Sequence, residues 1–499
     1  MLSTSATLFI RSHCSLLRSA SRASASPTVS SASTLIKRSL MSTSSNGTPL
    51  LSYGSSAADS GNTKPLPGVE RFGFAISDRI VGEIEKSSDV WTVFSPAAGH
   101  VPKDSLNLGQ GFMNWAPPKF IRDAAAEALE AVDTNHYAIP RGRMRLRQAL
   151  SKYLSPTFGR GRDLDPNTEI LVTAGANEGM YAMATAFLRP GDEVILFEPF
   201  FDQYIAQITF NGGKPVFVPL RAPEAAATSK VSANEWKIDL DELRQAITPQ
   251  TKQIWINTPH NPVGKVFTEK ELRAIGQIAE EHDLIIIADE VYDCLTFEGK
   301  QHVRIASLSD ELWRRTLTVG SAGKSFSATG WRIGWAVGPA HLIHPVLAAQ
   351  TRIVFCCNGP AQEATAVGIE KALENGFFDD QIKAYEERKA VLLDGLDKLG
   401  LPYTVPHGAY FVLVNTERLQ LPEDFEVPEM IKGRSRDWSV AWFIAQTAKV
   451  VLIPPTDFYS KEHWSLGENW IRVAFCKDLE TLRQAGERLL TLKPYIRDE

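Results

Sequence analysis

One lysine in this chain stands where covalent chemistry is expected, in the segment Thr318-Val-Gly-Ser-Ala-Gly-Lys324-Ser-Phe-Ser-Ala-Thr-Gly-Trp-Arg332. Lys324 follows an apolar stretch and is surrounded by small and hydroxyl-bearing residues. An amine that attacks a carbonyl must lose its proton, which burial favours, and small neighbours let a flat partner approach. A Gly-Lys-Ser tripeptide alone is more typical of a surface turn. The interpretation therefore depends on the other residues.

A second group of polar residues follows two other apolar stretches. Asp289 and Tyr292 belong to Asp289-Glu-Val-Tyr292, and Asn257 and Asn261 belong to the segment before it. Asp289 could keep a pyridine nitrogen protonated, while Tyr292 and Asn261 could donate to a phenolic oxygen. These groups and a lysine are what pyridoxal phosphate requires. Lys324 would anchor the cofactor and then move the proton at the substrate Cα.

A phosphate cup is predicted from a turn and two further residues. Gly175-Ala176-Asn177 follows a strand and opens a helix, so its backbone N–H groups and the helix dipole would face an anion. Ser321 and Arg332 would complete the cup. Phe201 could lie on the cofactor ring, where stacking contributes about 0.5–1.5 kcal/mol beyond burial.

Arg472, in a late apolar strand, could bind a substrate α-carboxylate through a bidentate pair that lysine cannot imitate. Taken singly, these residues have ordinary explanations: a helix cap for Asp289, a core aromatic for Phe201, a surface ion pair for Arg472 and a plain turn for Gly175. Their occurrence together, in this order, favours a cofactor site. No metal site is expected.

The elements that must position these residues alternate between short apolar strands and amphipathic helices, which is typical of a parallel sheet covered on both faces. Catalytic groups of such sheets gather at the carboxyl ends of the strands. We predict seven strands, at 170–173, 193–197, 215–218, 253–256, 284–288, 316–319 and 333–337. Beyond about residue 370, long helices and strands at 409–414 and 470–475 predict a smaller α+β domain. Residues 222–235 and 420–437 are predicted to be loop insertions.

We expect an α/β chain of two domains after a leader. Residues 1–64 would be the leader and linker, 65–119 an N-terminal arm with part of the small domain, 120–370 the large cofactor-binding domain, and 371–499 the small domain. The leader is rich in serine and arginine and holds no acidic residue before Asp59, which resembles a mitochondrial transit peptide. A disordered serine-rich tail is the alternative. We expect the mitochondrial matrix, and a cytoplasmic form through a start at Met41.

Composition narrows the range of partners. The 499 residues carry a formal charge of -5 and no long basic run, which argues against nucleic acid as the main ligand. No apolar stretch approaches the length of a membrane span. Small molecules are the expected ligands. The five cysteines show no paired metal spacing, which favours a reducing compartment.

The chain also resembles a known family. Its motifs Asn257-Thr-Pro-His-Asn-Pro-Val-Gly264, Asp289-Glu-Val-Tyr292 and Ser321-Ala-Gly-Lys324, with Arg472, are similar to those of class I aminotransferases of the type I pyridoxal phosphate fold. Leu106-Asn-Leu-Gly-Gln-Gly-Phe112 and Glu198-Pro-Phe-Phe-Asp-Gln-Tyr204 resemble kynurenine aminotransferases, which overlap with glutamine transaminase and cysteine conjugate β-lyase. The resemblance implies a large domain with a mostly parallel seven-stranded sheet and a smaller α+β domain.

The resemblance also implies a homodimer with shared active sites, in which Tyr137 of the partner subunit contacts the cofactor phosphate. It implies that Trp91 and Phe355 belong to an aromatic substrate wall and that Gly111 leaves space near the substrate carboxylate. The chain departs from the family pattern around the substrate side chain, at Asn177, Cys356 and Val263.

The activity implied is a transamination from kynurenine, or a similar bulky amino acid, to a 2-oxo acid. The alternatives are a cysteine-S-conjugate β-lyase, a cyclopropane-forming synthase, or a glutamine, methionine or aromatic amino acid transaminase. A non-catalytic cofactor-binding regulator is more distant, because no DNA-binding module precedes the fold. A decarboxylase fits poorly with Arg472, which would retain the carboxylate that such an enzyme expels.

Overall fold

Short apolar segments form the strands of the computed structural model, which describes residues 77, 79–80 and 89–497. All of these belong to the compact unit Ala75–Glu499. The predicted leader lies outside the described residues. In chain order, the strands are β1 Leu106–Asn107, β2 Ile170–Thr173, β3 Glu193–Glu198, β4 Lys214–Arg221, β5 Val231–Ser232, β6 Lys237–Ile238, β7 Thr251–Asn257, β8 Ile285–Asp289, β9 Thr316–Ser321, β10 Gly334–Val337, β11 Thr404–Val405, β12 Phe411–Asn415, β13 Val450–Val451 and β14 Trp470–Ala474.

The main sheet has the strand order β2-β10-β9-β8-β7-β3-β4-β6. Strands β9, β8, β7, β3 and β4 are parallel, β10 is antiparallel to both neighbours, and β6 is antiparallel to β4. The predicted fold class is confirmed, and all seven predicted strands are present. The eighth strand, β6, has two residues, which is too short to show a period of two in the sequence.

Helices cover both faces of this sheet. In chain order, the α-helices of the described residues are α1 Val90–Val93, α2 Lys119–Glu130, α3 Met144–Phe158, α4 Ala176–Phe187, α5 Gln203–Thr209, α6 Leu240–Gln245, α7 Glu269–Glu281, α8 Asp310–Arg315, α9 Ala322–Ser325, α10 Ala340–Ile353, α11 Gly359–Asn375, α12 Phe377–Leu399, α13 Arg436–Thr447, α14 Trp464–Gly467 and α15 Leu479–Leu489, of which those in the C-terminal region pack on the small sheet and on each other. Successive residues of β3 are buried on opposite faces of the sheet. Leu196 packs in one apolar cluster, whereas Ile195 and Phe197 pack in another. Burial on both faces explains why the strands are apolar throughout.

The C-terminal region builds its own small sheet. Strand β12 pairs with β14 in antiparallel fashion, and α12 packs against α15. Strand β1 pairs in parallel with β13, so an N-terminal segment joins these C-terminal elements. The predicted domain boundaries stay a prediction.

The predicted loop at 222–235 is more ordered than expected. It contains two short 3-10 helices and strand β5, which pairs with β11. Strand β5 forms by pairing with a strand far along the chain, so the local sequence does not predict it. Among the described helices, none combines the length and the apolar character needed to cross a bilayer.

Candidate active site

Three predicted site residues end neighbouring strands of the main sheet. Asn257 ends β7, Asp289 ends β8 and Ser321 ends β9. Asn257 and Asp289 are paired in register across the two strands. Lys324 follows Ser321 after less than one helical turn, in α9. The structure therefore brings the predicted lysine and acid to one edge of the sheet, as the parallel topology requires.

The Lys324 amine lies among aromatic rings. Its Nζ donates to Oη of Tyr410 at 3.0 Å and lies 5.6 Å from the ring centroids of Tyr292 and Tyr410. Burial lowers the pKa of Lys324 to about 8, and the nearby Arg472 acts in the same direction, although Asp289 opposes it. A neutral amine is thus accessible close to neutral pH, as a nucleophilic lysine needs.

Asp289 is a buried carboxylate held by neutral donors. Its Oδ2 accepts a short hydrogen bond from Oη of Tyr204, and its Oδ1 accepts from the backbone N–H of Val291 at 3.3 Å. Burial raises the pKa of Asp289 to about 6, while these hydrogen bonds oppose that rise. Among the described residues no cation lies within ion-pair distance of this carboxylate. Such an acid is suited to a buried cationic ligand.

Asn257 and Asn261 have different roles from each other. Nδ2 of Asn257 donates to the carbonyl of Asp289 at 2.9 Å, and its Oδ1 accepts from the N–H of Asn261 at 2.7 Å. Both polar ends of Asn257 therefore hold the backbone, although we predicted a cofactor contact. Oδ1 of Asn261 accepts from Arg472 at 3.1 Å, so Asn261 links the sheet edge to the predicted carboxylate-binding residue.

Gly175 and Arg332, two residues of the predicted phosphate cup, lie against each other in the structure. Gly175 precedes α4 with φ of 84°, and a Cβ at this position would lie 2.4 Å from Nη2 of Arg332. Only glycine lets the guanidinium approach this helix N-terminus, at Ala176, so closely. Ser321 ends β9, which is separated from β2 by the one strand β10. Oδ1 of Asn177 instead accepts from Nε2 of Gln207 at 2.6 Å.

Arg472 is a buried guanidinium with one free donor. Its Nη1 donates to Asn261 and its Nη2 donates to the carbonyl of Gly109 at 2.7 Å, whereas its buried Nε has no hydrogen-bond partner. Its Cζ lies 4.5 Å, 4.9 Å and 5.4 Å from the ring centroids of Phe411, Phe458 and Trp91. Burial lowers its pKa to about 10, and no described carboxylate forms an ion pair with it. This environment favours a carboxylate ligand.

The segment from Gly109 to Phe112 is held by side chains at all four of its carbonyl oxygens. Arg472 donates to the first, Lys477 to the second and fourth, and Tyr410 to the third. A Cβ on Gly111 would lie 2.8 Å from the ring of Phe411, so a glycine is required there by close approach. That Gly111 leaves space near the substrate carboxylate stays a prediction.

Two predicted residues lie elsewhere on this chain. Tyr137 is 86 % exposed and Phe355 is 50 % exposed, and their rings meet edge-to-face at 5.4 Å. Neither has a contact with Lys324 or Arg472 among those found for the described residues. Trp91, in contrast, lies against Arg472, and its Nε1 donates to Asp202 at 2.7 Å. Phe201 packs edge-to-face on Tyr204 at 5.7 Å, which places it beside the partner of Asp289.

Four contributing residues were missed in the sequence: Tyr204, Tyr410, Phe458 and Lys477. Tyr204 was the last residue of the family-like segment Glu198–Tyr204 and lies in α5, but its hydroxyl donates to an acid 85 positions away. Tyr410 stands just before β12, and Lys477 just after β14. Both strands were predicted, so strand ends in the small sheet were an available signal. No cluster of metal-binding side chains occurs in the described part of the chain.

A lysine of lowered pKa and a buried acid at the strand ends of the main sheet, with a buried guanidinium from β14 beside them, define an enzyme of the type I fold that acts on amino and oxo acids. The family model for aminotransferase class I and II matches residues 103–489. The chain belongs to this family and is an aminotransferase.

Individual relatives agree with this assignment. A Saccharomyces cerevisiae protein named as a probable kynurenine–oxoglutarate transaminase is 44 % identical, over 82 % of this chain and 93 % of its own length. The kynurenine–oxoglutarate transaminase of Dictyostelium discoideum is 40 % identical, over 81 % and 94 %. The crystal structure of Bna3p from Saccharomyces cerevisiae superposes with a TM-score of 0.81 at 43 % identity, covering 85 % of this chain and all of the other. N-succinyldiaminopimelate aminotransferase of Mycobacterium tuberculosis gives 0.73 at 32 % identity, covering 84 % of this chain and all of the other.

Proposed function

We propose that this aminotransferase uses pyridoxal phosphate to move the amino group of kynurenine, or of a similar bulky amino acid, to a 2-oxo acid. The observation that carries the proposal is the grouping of Lys324, Asp289 and Arg472 around one sheet edge. The names of the relatives from Saccharomyces cerevisiae and Dictyostelium discoideum support the choice of substrate.

The residues at the site fit the cofactor. Asp289 suits a protonated pyridine nitrogen, because this buried carboxylate faces no other cation within ion-pair distance in the described chain. The N-terminus of α4 and Arg332 suit a phosphate, since the first-turn N–H groups of the helix, which lack intrahelical partners, lie beside a guanidinium that Gly175 lets approach. Tyr292 suits the phenolic oxygen, and Lys324 suits the aldehyde. When bound, pyridoxal phosphate supplies an electron sink for the charge that develops at the substrate Cα.

Residues of the chain itself would bind the substrate, move its proton and position the lysine. Arg472 binds the α-carboxylate, for which its Nε is the free buried donor. Lys324 removes the proton from the substrate Cα and returns one on the way to product, and its pKa of about 8 suits both directions near neutral pH. Tyr410, which accepts from the Lys324 amine and donates to Gly111, keeps that amine beside the substrate-binding segment. Trp91 and Phe458 provide apolar surface next to Arg472.

The experiment is an assay of the purified protein with kynurenine and 2-oxoglutarate, in which formation of glutamate and of the cyclised product is measured together. Methionine, glutamine and phenylalanine serve as comparison donors. A cysteine-S-conjugate tests the elimination alternative, because a β-lyase releases pyruvate without consuming an oxo acid. Absence of amino transfer from every donor would refute the proposal.

We also propose a homodimer. Large apolar side chains are exposed along one connected region, formed by the end of α2, the start of α3 and the end of α10. They are Leu129, Val132, Tyr137, Ile139, Met144, Ile353 and Phe355. Soluble monomers rarely expose so much apolar surface in one place. Burial of this region against a second copy fits the expected placement of Tyr137 of the partner subunit. Sedimentation should give twice 55.1 kDa, and a monomer at micromolar concentration would contradict the proposal.

Mitochondrial targeting is likewise a proposal, supported by the composition of residues 1–64 alone. A fluorescent fusion to the whole chain should enter mitochondria. A fusion that begins at Met41 should remain in the cytoplasm. Identical distributions of the two fusions would contradict the targeting proposal.

A further inference from the structure

A second cavity lies beside the lysine-bearing segment and apart from the site described above. Its volume is about 310 Å³, within the range of small-molecule sites. Its lining includes Trp115, Ser327, Phe377, Gln381, Tyr385 and Arg388. Lys324, Asp289 and Arg472 do not line it. The cavity therefore needs an explanation of its own.

Arg388 gives the cavity a positive charge. Its Cζ lies 4.3 Å from the ring centroid of Trp115, its Nε donates to the carbonyl of Lys477 at 3.1 Å, and its Nη1 donates to the carbonyl of Ala384 at 2.5 Å. No carboxylate among the described residues forms an ion pair with it. The acid on the cavity wall, Asp380, instead pairs with Lys383 at 3.0 Å. A half-buried guanidinium with only neutral partners attracts an anion.

Tyr385 lines the cavity and carries a buried hydroxyl. The residue is 1 % exposed, and its Oη has no hydrogen-bond partner in the described structure. Its ring packs against Trp115 with centroids 6.0 Å apart. A buried hydroxyl without a partner is unfavourable, so such groups often mark the place of a ligand. Tyr385 and Arg388 line the same cavity.

We propose that this cavity is a second binding site, which takes a small aromatic carboxylate. The carboxylate would bind Arg388 and the hydroxyl of Tyr385, while the flat ring packs against Trp115 and Phe377. Aromatic walls favour a ring over inorganic phosphate, and the single guanidinium matches a single carboxylate. The proposal goes beyond the transamination, and binding at this site does not depend on the identity of the amino donor.

The cavity is connected to the lysine by direct contacts. The ring of Tyr385 stacks on Tyr410 with centroids 6.1 Å apart, and Tyr410 holds the Lys324 amine. Gln381 donates to the carbonyl of Ser325 at 2.8 Å. Trp115 donates to Oγ of Ser327 at 3.1 Å. A ligand in the cavity would thus contact residues that hold the lysine segment, so its binding changes the rate of transamination.

The test measures binding of indole-3-acetate to the purified full-length holoenzyme by calorimetry. Because Arg472 can also bind carboxylates, the measurement is made in the background of Arg472→Met. We expect one molecule to bind per chain. Adding Arg388→Met should weaken binding at least tenfold. Adding Lys398→Met, which removes a positive charge from the same helix and whose partner Asp394 also lies outside the cavity lining, should leave it within twofold.

A second substitution guards against a folding defect in the Arg388 variant. Tyr385→Phe removes only the hydroxyl and keeps the aromatic packing, and it should weaken indole-3-acetate binding at least threefold with an unchanged melting temperature. No binding in the Arg472→Met background would overturn the proposal. So would equal binding in the Arg388→Met, Tyr385→Phe and Lys398→Met proteins.

Discussion

The hydroxyl of Tyr204 should control the protonation of Asp289. Tyr204→Phe removes the donor to Oδ2 of Asp289 but keeps the ring, which packs on Trp255 at 5.3 Å. The donor favours the ionised carboxylate, so its loss raises the pKa of Asp289. A hydrogen bond to a charged group contributes about 1.5–3 kcal/mol. At 1.36 kcal/mol per pKa unit, the pKa should rise from about 6 to roughly 7–8.

The assay is the affinity of cofactor-free protein for pyridoxal phosphate between pH 5 and pH 9. Only ionised Asp289 pairs with the protonated pyridine nitrogen, so affinity in the parent should fall below about pH 6. In Tyr204→Phe the fall should begin roughly 1–2 pH units higher, and the two proteins should converge near pH 9. At pH 7 the variant should bind several-fold more weakly.

Tyr403→Phe is the matched control, because it removes a phenol hydroxyl that donates to Asp397 at 2.7 Å. Neither Tyr403 nor Asp397 belongs to the active site. The control should keep the pH dependence of the parent. An unshifted profile in Tyr204→Phe, or an equal shift in both variants, would refute the reasoning.

Four further outcomes follow from the site. Lys324→Ala should lose the visible absorbance that the cofactor acquires on covalent attachment to lysine, and an unchanged spectrum would remove this residue from the site. Arg472→Lys should lower kcat/KM at least tenfold, about 1.4 kcal/mol, whereas activity within twofold would show that the bidentate donor is dispensable. Lys477→Met should raise KM for the amino donor several-fold, because it removes the donor to two carbonyls of the Gly109–Phe112 segment. The cofactor spectrum should stay unchanged. An altered spectrum with a normal KM would contradict this role. Burial raises the pKa of Asp289 from its usual value near 4 to about 6, so the cofactor-free fold loses stability as pH rises from about 4 to about 6 and no further above that. Asp289→Asn should therefore stabilise that form by up to about 3 kcal/mol at pH 8 but not at pH 4, as measured by urea unfolding.

Residues at the strand ends of the main sheet could be predicted because one rule locates them. A parallel sheet brings its carboxyl ends to one edge, so Asp289, Ser321 and Lys324 follow from the apolar stretches before them. Gly175 could be predicted from a strand followed by a helix, and its contact with Arg332 agrees with the expected cup. The resemblance to class I aminotransferases supplied the positions of Trp91 and Gly111, which composition and periodicity do not reveal.

Contacts between distant side chains could not be predicted in the same way. In the sequence, Tyr204, Tyr410 and Lys477 look like ordinary core or surface residues. Only the tertiary fold brings Tyr204 to the carboxylate of Asp289, Tyr410 to the amine of Lys324, and Lys477 to the carbonyl of Gln110. Asn257 ends a strand, but its sequence position does not reveal that both of its polar groups hydrogen-bond to the backbone; its cofactor contact stays a prediction. A strand end indicates where a side chain lies, but not which neighbours compete for it.

The bracing of the Gly109–Phe112 carbonyls also bears on the order in which the enzyme becomes functional during synthesis. Arg472 and Lys477 are translated more than 350 residues after the peptide units that they hold. A ribosome-bound chain can complete the sheet edge that carries Lys324 long before these late residues emerge. Recognition of the substrate carboxylate is therefore among the last properties the nascent protein acquires, and loss of even a short C-terminal stretch should abolish it.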